Sequence, residues 1–587
     1  MQNGQITIRN LFDGTKVFRI PRYQRAYAWE EDQLQDFVED FENQSIGKDY
    51  FFGTILFREA MNQKDGQDEF EIIEIVDGQQ RITTLIIFMR LILERLKASG
   101  QDIHLLWATY ISYGNQFKLE ILPQDNDFFT SYILEEYDGQ LFIRTPSQRR
   151  LWEARKFLSK RVAKYSDETL LQLITKINHT KLLIYSVLDN AEATLIFETT
   201  NDRGKQLSNL EKTKSFLMYK TYLASEDPES LLDQIQLRFT EIYRDFEDIQ
   251  YKDIREDAVL QYHFIAFEEW VANRETKEYS QNVDMVKHKV NQLIATSVKE
   301  ETLDYIQGYT RELRESFGVM KELYLHPARY GLHDLIGLGR QAVFLPMLIK
   351  TFKLDTAEGK PKFRRIVRLA EVISFRVLGV RRRQANAARD FLYARARDFE
   401  GDFQMLADDL KDYIGEKAND AEFQAYLAAP NLYNSISIND LRYLFWKYEN
   451  YLRREVMPVA AEMSYQEFAS QDKHTRFSIE HIAPQNPEEA RVVKDITILQ
   501  PVNKRFLENY LHSLGNLTID PLSANISKSN KGIEKKLRYF IRAPFKTQNE
   551  LEDFLNSETR QWDRTSITRR REKILAFALE HWDYRQV

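Results

Sequence analysis

Apolar positions follow two rhythms along this chain, and the rhythm changes twice. Over roughly the first 200 residues, short runs rich in β-branched and aromatic side chains alternate with helical stretches. "VFRIP", "YFFGTILF" and "FEIIEIVDG" predict strands, and a three-to-four-residue apolar spacing from about Gln79 to Lys97 predicts a long helix closed by Ala-Ser-Gly. "TKLLIYSVLD" predicts a further strand, and Ser208-Asn-Leu-Glu211 is a capping box that starts a helix. From about Ser215 to Asn450 the pattern is almost wholly helical, as in "LLDQIQLRFTEIYRDF" and "FRRIVRLAEVISFRVLG", with no fixed-period repeat. The remainder is mixed again: helix, strand, turn, strand and helix around residues 477–540, then a final helix, "SITRRREKILAFALEHW". These changes divide the chain into residues 1–215, 216–450 and 451–587. The expected class is an α+β multidomain protein that is predominantly helical.

Composition sharpens this picture. A chain of 587 residues exceeds one compact core, and 43% hydrophobic and 13% aromatic content suffices for several. There is no cysteine, which excludes disulfides, cysteine-ligated zinc and thiol nucleophiles and fits a reducing cytoplasm. "MQNGQITIRNLFDG" has no signal-peptide pattern. The most apolar run, "ITTLIIFMRLILERL", is broken by Arg90 and Arg95 and is too short to span a bilayer, so it predicts a buried helix and no membrane partner.

A net charge of −7 does not advertise a nucleic-acid binder, yet charge is uneven. Between Lys360 and Arg397 twelve Lys or Arg residues face two acids, Glu371 and Asp390. Such a stretch is either a phosphate-binding surface, with Arg381, Arg382 and Arg383 as its DNA-binding candidates, or a solvated helix face.

Candidate chemistry lies at both ends. Near the C-terminus "FSIEHIAPQN" places His481 after Glu480 and before Pro484. Then come Asn516 in "GNLTID" and Asn525 followed by Lys528 in "ANISKSN". A neutral imidazole near pH 7 can take a proton from water, and the oxygens of Glu480 and Asn525 suit a hard cation such as Mg²⁺ or Mn²⁺. Successive strand residues point to opposite faces, so Glu480 and His481 need the strand to end there, as Pro484 suggests. Taken singly, each element is as well explained by surface or core packing. His512 has no paired acid and reads as structural or substrate-contacting.

At the other end, "VFRIPRYQRAYAWEEDQLQDF" precedes "EIIEIVDGQQRITTL", where an apolar strand enters Asp77-Gly78-Gln79-Gln80-Arg81 and then a helix. A helix N-terminus suits phosphate, Gly78 permits close backbone approach, and Arg81 can pair with phosphate, with Arg22, Gln24 and Arg25 as further donors. The alternative is a tight turn in which Asp77 caps the helix and Arg81 pairs with a surface acid. No Walker-type loop is present. Tyr23, Tyr27 and Trp29 fit either a pocket for a flipped base or a core.

Together, Glu-His-Ile-x-Pro, Asn-Leu and Asn-x-x-Lys resemble the His–Asn–Asn variant of the HNH, or ββα-metal, nuclease motif. That resemblance implies His481 as general base, Asn516 as a brace for its loop, and Glu480 and Asn525 as metal ligands. Many such domains carry two cysteine pairs on a structural zinc; this chain has none, so flanking helices must support the fold. At the N-terminal end, Ile20-Pro21-x-Tyr23-Gln24-Arg25-x-Tyr27-x-Trp29, Asp77-Gly78-Gln79-Gln80-Arg81 and Phe197-Glu198-x-x-Asn201-x-x-Gly204-x-x-Leu207 resemble GmrSD-type, modification-dependent (type IV) restriction proteins. The resemblance implies a ParB/sulfiredoxin-like NTPase domain, a helical middle and an HNH-type nuclease domain. It thus implies an NTP-dependent endonuclease acting on modified double-stranded DNA in antiphage defence, with a homodimer as the simplest route to double-strand cleavage. SspE-type proteins share the plan, so the modification sensed stays open. Two other functions compete: an NTP-gated DNA-binding regulator with a vestigial nuclease domain, and a constitutive nuclease whose first domain only binds DNA.

Overall fold

The computed structural model describes residues 4–22, 24–43, 51–59, 63–65, 68–135, 140–186, 208–249, 254–268, 282–295, 299–381, 385–456, 462–470, 472, 476–483, 485, 506–522 and 533–587. The chain forms two compact units. One comprises Met1–Gln261 with Asn273–Lys321, the other Tyr262–Ala272 with Glu322–Val587, so the helical middle is shared between them.

The first unit is built on a mixed seven-stranded sheet. Its strands are β1 (Gly4–Thr7), β2 (Lys16–Arg19), β3 (Phe51–Glu59), β4 (Gln63–Asp65), β5 (Asp68–Asp77), β8 (Leu119–Glu120) and β9 (Lys181–Ser186), with a separate hairpin of β6 (Ser112–Tyr113) and β7 (Gln116–Phe117). The order is β1-β9-β3-β5-β2-β8, with β4 beside β5. β2 runs parallel to both β5 and β8, whereas β3 is antiparallel to β5 and parallel to β9. Strands form within all four predicted runs, "VFRIP", "YFFGTILF", "FEIIEIVDG" and "TKLLIYSVLD"; residues 50 and 187–189 of these runs lie outside the described residues.

The helix Gln79–Ala98 is buried along almost its whole length, as expected for a helix apolar all round. Arg90, which breaks its apolar run, is 2% exposed; its Nε donates to the Leu134 carbonyl at 2.9 Å and its guanidinium pairs with Glu94. The capping box at Ser208 also forms: Glu211 N–H donates to Ser208 Oγ at 3.2 Å and Ser208 N–H to Glu211 Oε2 at 2.8 Å. Among the described residues no helix is long and apolar enough to cross a membrane.

The second unit is mainly helical. β10 (Phe477–His481) pairs antiparallel with β11 (Leu517–Pro521), and a helix follows at Ile533–Phe540. Helix Ile438–Val456 lies against this pair, and helix Arg564–His581 lies against the turn Leu514–Asn516 that leads into β11. Gly515, just before β11, sits so close to the last helix that a Cβ there would lie 2.0 Å from the Ile567 carbonyl.

Arg570, fully buried on that helix, reaches across. It donates to Glu550 Oε1 at 2.9 Å and to the carbonyls of Gly515 (3.0 Å), Leu517 (2.6 Å) and Thr547 (3.2 Å). The flanking helices expected to support this region therefore do so, partly through a buried cation.

The basic stretch from Lys360 to Arg397 is not one solvated or phosphate-facing surface. Arg376 is fully buried and donates to the carbonyls of Trp582 and Ala418 and to Asp420. Arg381 lies over the Tyr426 ring, pairs with Glu422 at 3.3 Å and donates to the Lys417 carbonyl. Its side chain is 14% exposed, so in this structure it is engaged within the fold rather than offered to DNA. Arg382 and Arg383 lie outside the described residues.

Candidate functional site

β10 ends on His481, and the acid and the base at that end, Glu480 and His481, diverge as strand alternation requires. The Glu480 side chain turns to Lys536, whose Nζ donates to Glu480 Oε1 at 2.5 Å and to the His481 carbonyl at 3.1 Å; both side chains are buried. The His481 ring turns the other way. Its Nε2 lies 3.1 Å from His512 Nδ1, and its Nδ1 lies 2.5 Å from Gln485 Nε2. Tyr433 packs edge-on to His481 and stacked on His512, while its N–H donates to the His512 carbonyl at 3.0 Å.

Asn516 fixes the loop that carries this arrangement. It is wholly buried: its Oδ1 accepts from Ala483 N–H at 3.0 Å and from the Trp562 indole at 3.3 Å, and its Nδ2 donates to the Leu511 carbonyl at 2.8 Å. Its own carbonyl accepts from Ile482 N–H at 2.9 Å. One side chain thus joins the segment after β10 to the turn before β11.

A consistent proton assignment follows from these contacts. If the Gln485 amide donates to His481 Nδ1, then His481 Nε2 carries the hydrogen and donates to His512 Nδ1. The basic lone pair of His481 then faces Gln485, which is exposed and so replaceable by water or substrate. Burial lowers the His481 pKa to about 3, with His512 and the Lys536 ammonium acting in the same direction. Burial also lowers that of His512. Both rings are therefore neutral at pH 7, as a proton acceptor must be.

Among the described residues no group of three or more His, Asp or Glu side chains is arranged to hold a metal. Glu480 is held by Lys536, and Asn525 lies outside the described residues, as do Lys528 and Pro484. The described donors do not by themselves make a metal site.

In the first unit Gly78 has φ +99°, the left-handed conformation that lets β5 turn directly into the helix at Gln79. Asp77 does not cap this helix. It lies 3.5 Å from Arg81, whose guanidinium instead donates to the carbonyls of Phe52 (2.8 Å) and Thr54 (2.7 Å) on β3. Gly53 makes room: a Cβ there would lie 2.0 Å from Arg81 Nη1.

The three glutamines are internal. Gln24 donates to the Val76 carbonyl at 2.6 Å and accepts from Gln79 at 3.0 Å, while Gln80 accepts from Ala28 N–H and donates to the Ala26 carbonyl. Arg25 is 7% exposed and its pKa is lowered by burial, against the opposing fields of Glu211 and Asp77. Arg22 pairs with Asp233. The structure thus gathers Gln24, Arg25, Asp77 and Gln79–Arg81 around one turn, chiefly as its frame, and places Arg22 on a neighbouring cavity. Tyr27 is core, its hydroxyl bonded to Thr84; Tyr23 and the Phe197–Leu207 motif lie outside the described residues.

His512 is the residue whose partnership the sequence concealed, since 31 positions separate it from His481 and no acid sits beside it. Lys536 was equally silent.

Two family models match the chain. One describes the N-terminal domain of the GmrSD restriction endonuclease and covers residues 8–218; the other describes the C-terminal domain of GmrSD restriction endonucleases and covers residues 417–577. No curated protein matches the chain.

Proposed function

The chain belongs to the GmrSD restriction endonuclease family, and on that premise we propose that it is an NTP-regulated endonuclease that recognises and cuts modified double-stranded DNA in cytoplasmic antiphage defence. The observation that carries this reading is that the His481–His512 pair and the Asn516 brace fall inside the C-terminal match.

In this reading His481 accepts the proton of the attacking water at Nδ1 once that water replaces Gln485. His512, accepting from Nε2–H, holds the ring in the required tautomer and shares the charge of the imidazolium that forms. A phosphodiester bound nearby raises the basicity of His481 from its depressed value, because an anion favours the charged ring. The order strand, strand, helix at β10, β11 and Ile533–Phe540 supports the ββα reading.

The divalent ion expected from the resemblance, Mg²⁺ or Mn²⁺, would stabilise charge on the phosphate and leaving oxygen. Its expected ligands are Glu480 and Asn525. Glu480 would exchange its pairing with Lys536 for the ion. NTP binding is proposed at the Asp77–Arg81 turn, with Arg22 and Arg25 as additional candidates. Support comes from the left-handed Gly78 at the helix start and from the match to the N-terminal domain model. A homodimer remains the simplest way for one such site per chain to break both strands, and sedimentation with and without nucleotide and DNA reads it directly.

The deciding experiment digests matched unmodified, glucosyl-hydroxymethylcytosine and phosphorothioate DNAs with and without NTP and Mg²⁺ or Mn²⁺. His481→Ala should lower cleavage by about 10²–10⁴-fold while NTP hydrolysis and folding persist. A folded His481→Ala protein that cuts at the full rate would overturn the assignment. Binding of modified DNA without cutting by the wild type under every condition would instead favour the regulator.

A further inference from the structure

A row of alternating charge crosses four adjacent strands of the first unit. The pairing registers set Arg58 of β3 opposite Glu74 of β5, Glu74 opposite Arg19 of β2, and Arg19 opposite Glu120 of β8. Directly opposed residues share a sheet face, and opposite charges so placed attract. Arg58 Nε donates to Glu74 Oε2 at 3.0 Å, and Arg19 Nε to Glu120 Oε2 at 2.7 Å.

This row forms part of the wall of a cavity of about 600 Å³. The cavity opens where the parallel strands β2 and β8 end, the side of such strands on which ligands bind in open α/β sheets. Tyr219 and Tyr222, one helical turn apart on Asn209–Ala224, contribute half-buried rings to it. The volume lies within the range of small-ligand sites.

We propose that this cavity binds a nucleobase. The lining carries three guanidiniums, of Arg19, Arg22 and Arg58, against four carboxylates, of Glu74, Glu120, Asp127 and Glu229. A polyphosphate gains nothing from that balance, because each arginine already faces an acid and the sum is negative. A flat heterocycle with donors and acceptors along one edge is complementary: guanidinium donates to a ring carbonyl or nitrogen, the neighbouring carboxylate accepts from ring N–H or amino groups, and tyrosine rings stack on its face. The row side chains keep between 15% and 37% of their surface open, so their edges are available to such a ligand. The cavity shares only Arg22 with the residues proposed for nucleotide at the Asp77–Arg81 turn, and the inference does not rest on the cleavage reading.

The test is calorimetric titration of the full-length protein with guanosine, adenosine, cytidine and uridine, then with the matching triphosphates and with single-stranded and duplex oligonucleotides. At least one nucleoside should bind saturably; its triphosphate should gain nothing at the cavity, and any further binding at the Asp77–Arg81 turn should be insensitive to the cavity substitutions. Glu120→Gln and Tyr222→Leu should each weaken binding about ten- to a hundred-fold, the range for losing one good edge or stacking contact. If the base arrives as part of DNA, a single-stranded oligonucleotide competes with the nucleoside; if it arrives as a free nucleotide, the oligonucleotide does not. Tyr222 is only half-buried, so its variant keeps the question open to measurement should Glu120→Gln fail to fold. Absence of nucleoside binding by the wild type, or binding unchanged in the folded Tyr222→Leu variant, would overturn the proposal.

Discussion

Arg570 offers the most demanding test of how the second unit is held together. In Arg570→Met the side chain keeps its length and apolar stem but loses four hydrogen bonds, one to Glu550 and three to backbone carbonyls around Gly515, Leu517 and Thr547. A hydrogen bond involving a charged group contributes about 1.5–3 kcal/mol, and each buried acceptor left without its donor costs about 1–3 kcal/mol. Simple addition overshoots, since carbonyls relax and Lys573 stays 3.4 Å from Glu550. Breaking a buried ion pair from one side costs about 3–5 kcal/mol, and that is the expected loss. Against a typical domain stability of about 5–15 kcal/mol this leaves the unit marginal.

Because the chain has two units, a global melting curve would mix them. The assay is therefore hydrogen exchange at the amides of β10 and β11, which reports opening of this region alone. Arg570→Lys, which preserves the charge but not the planar fork, should still lose about 2 kcal/mol. Adding Glu550→Gln to Arg570→Met should recover about 1 kcal/mol or more by removing the uncompensated charge. Exchange in Arg570→Met slowed or unchanged relative to the wild type, or a fully stable Arg570→Lys, would refute the argument.

Other expectations follow from single contacts. Gly53→Ala combines a φ of +106° with a Cβ 2.0 Å from Arg81 Nη1, so it should destabilise the first unit by at least ~2 kcal/mol; hydrogen exchange at the β3 and β5 amides equal to the wild type would show that Arg81 is not held as described. Arg81→Ala should cost about 1–3 kcal/mol through the carbonyls of Phe52 and Thr54, and a loss of NTP hydrolysis beyond the fraction unfolded would be needed to assign Arg81 to nucleotide. His263 is buried, with its pKa lowered to about 3 chiefly by burial, so the folded state favours the neutral ring. Its contribution is complete above pH ~6.5 and is lost at about 1.4 kcal/mol per pH unit as pH falls from there toward 3. His263→Phe should flatten that acid slope in urea titrations at pH 7, 6 and 5, and an unaltered slope would refute the reading. His512→Gln should lower cleavage and alter its pH profile without unfolding the protein, because it removes the partner of His481 Nε2; an identical profile at identical rate would make the pairing incidental.

The elements were legible because their signals are local. The apolar run into Asp77-Gly78 and the helix from Gln79 needed only neighbouring residues, as did the capping box at Ser208. Partners across the fold were not. The sequence offers Arg81 to phosphate but does not show that two carbonyls of β3, 27 and 29 positions away, already accept from it. Glu480 reads as a free ligand until Lys536, 56 positions on, is found upon it. Charge pattern misled for a related reason: an arginine satisfied by carbonyls, such as Arg376, is as much at home inside as on a surface, and sequence spacing does not distinguish them. Asn516 was legible as a brace only through the resemblance; in the structure its side chain accepts from Ala483 N–H and donates to the Leu511 carbonyl.

The guanidinium of Arg570 cannot be withdrawn as a zinc ion can. A nuclease lobe stapled by a metal on thiolates opens when chelated or oxidised, so its architecture and its chemistry share one vulnerability. Here a covalently tethered cation fastens Gly515 and Leu517, and the chain has no thiol to oxidise. On the proposed divalent-ion reading, stripping such ions from the solution should silence cutting while leaving the lobe assembled, so that restoring them returns activity without a refolding delay. The scaffold around His481 would leave synthesis already shaped, with no metal needed to build it.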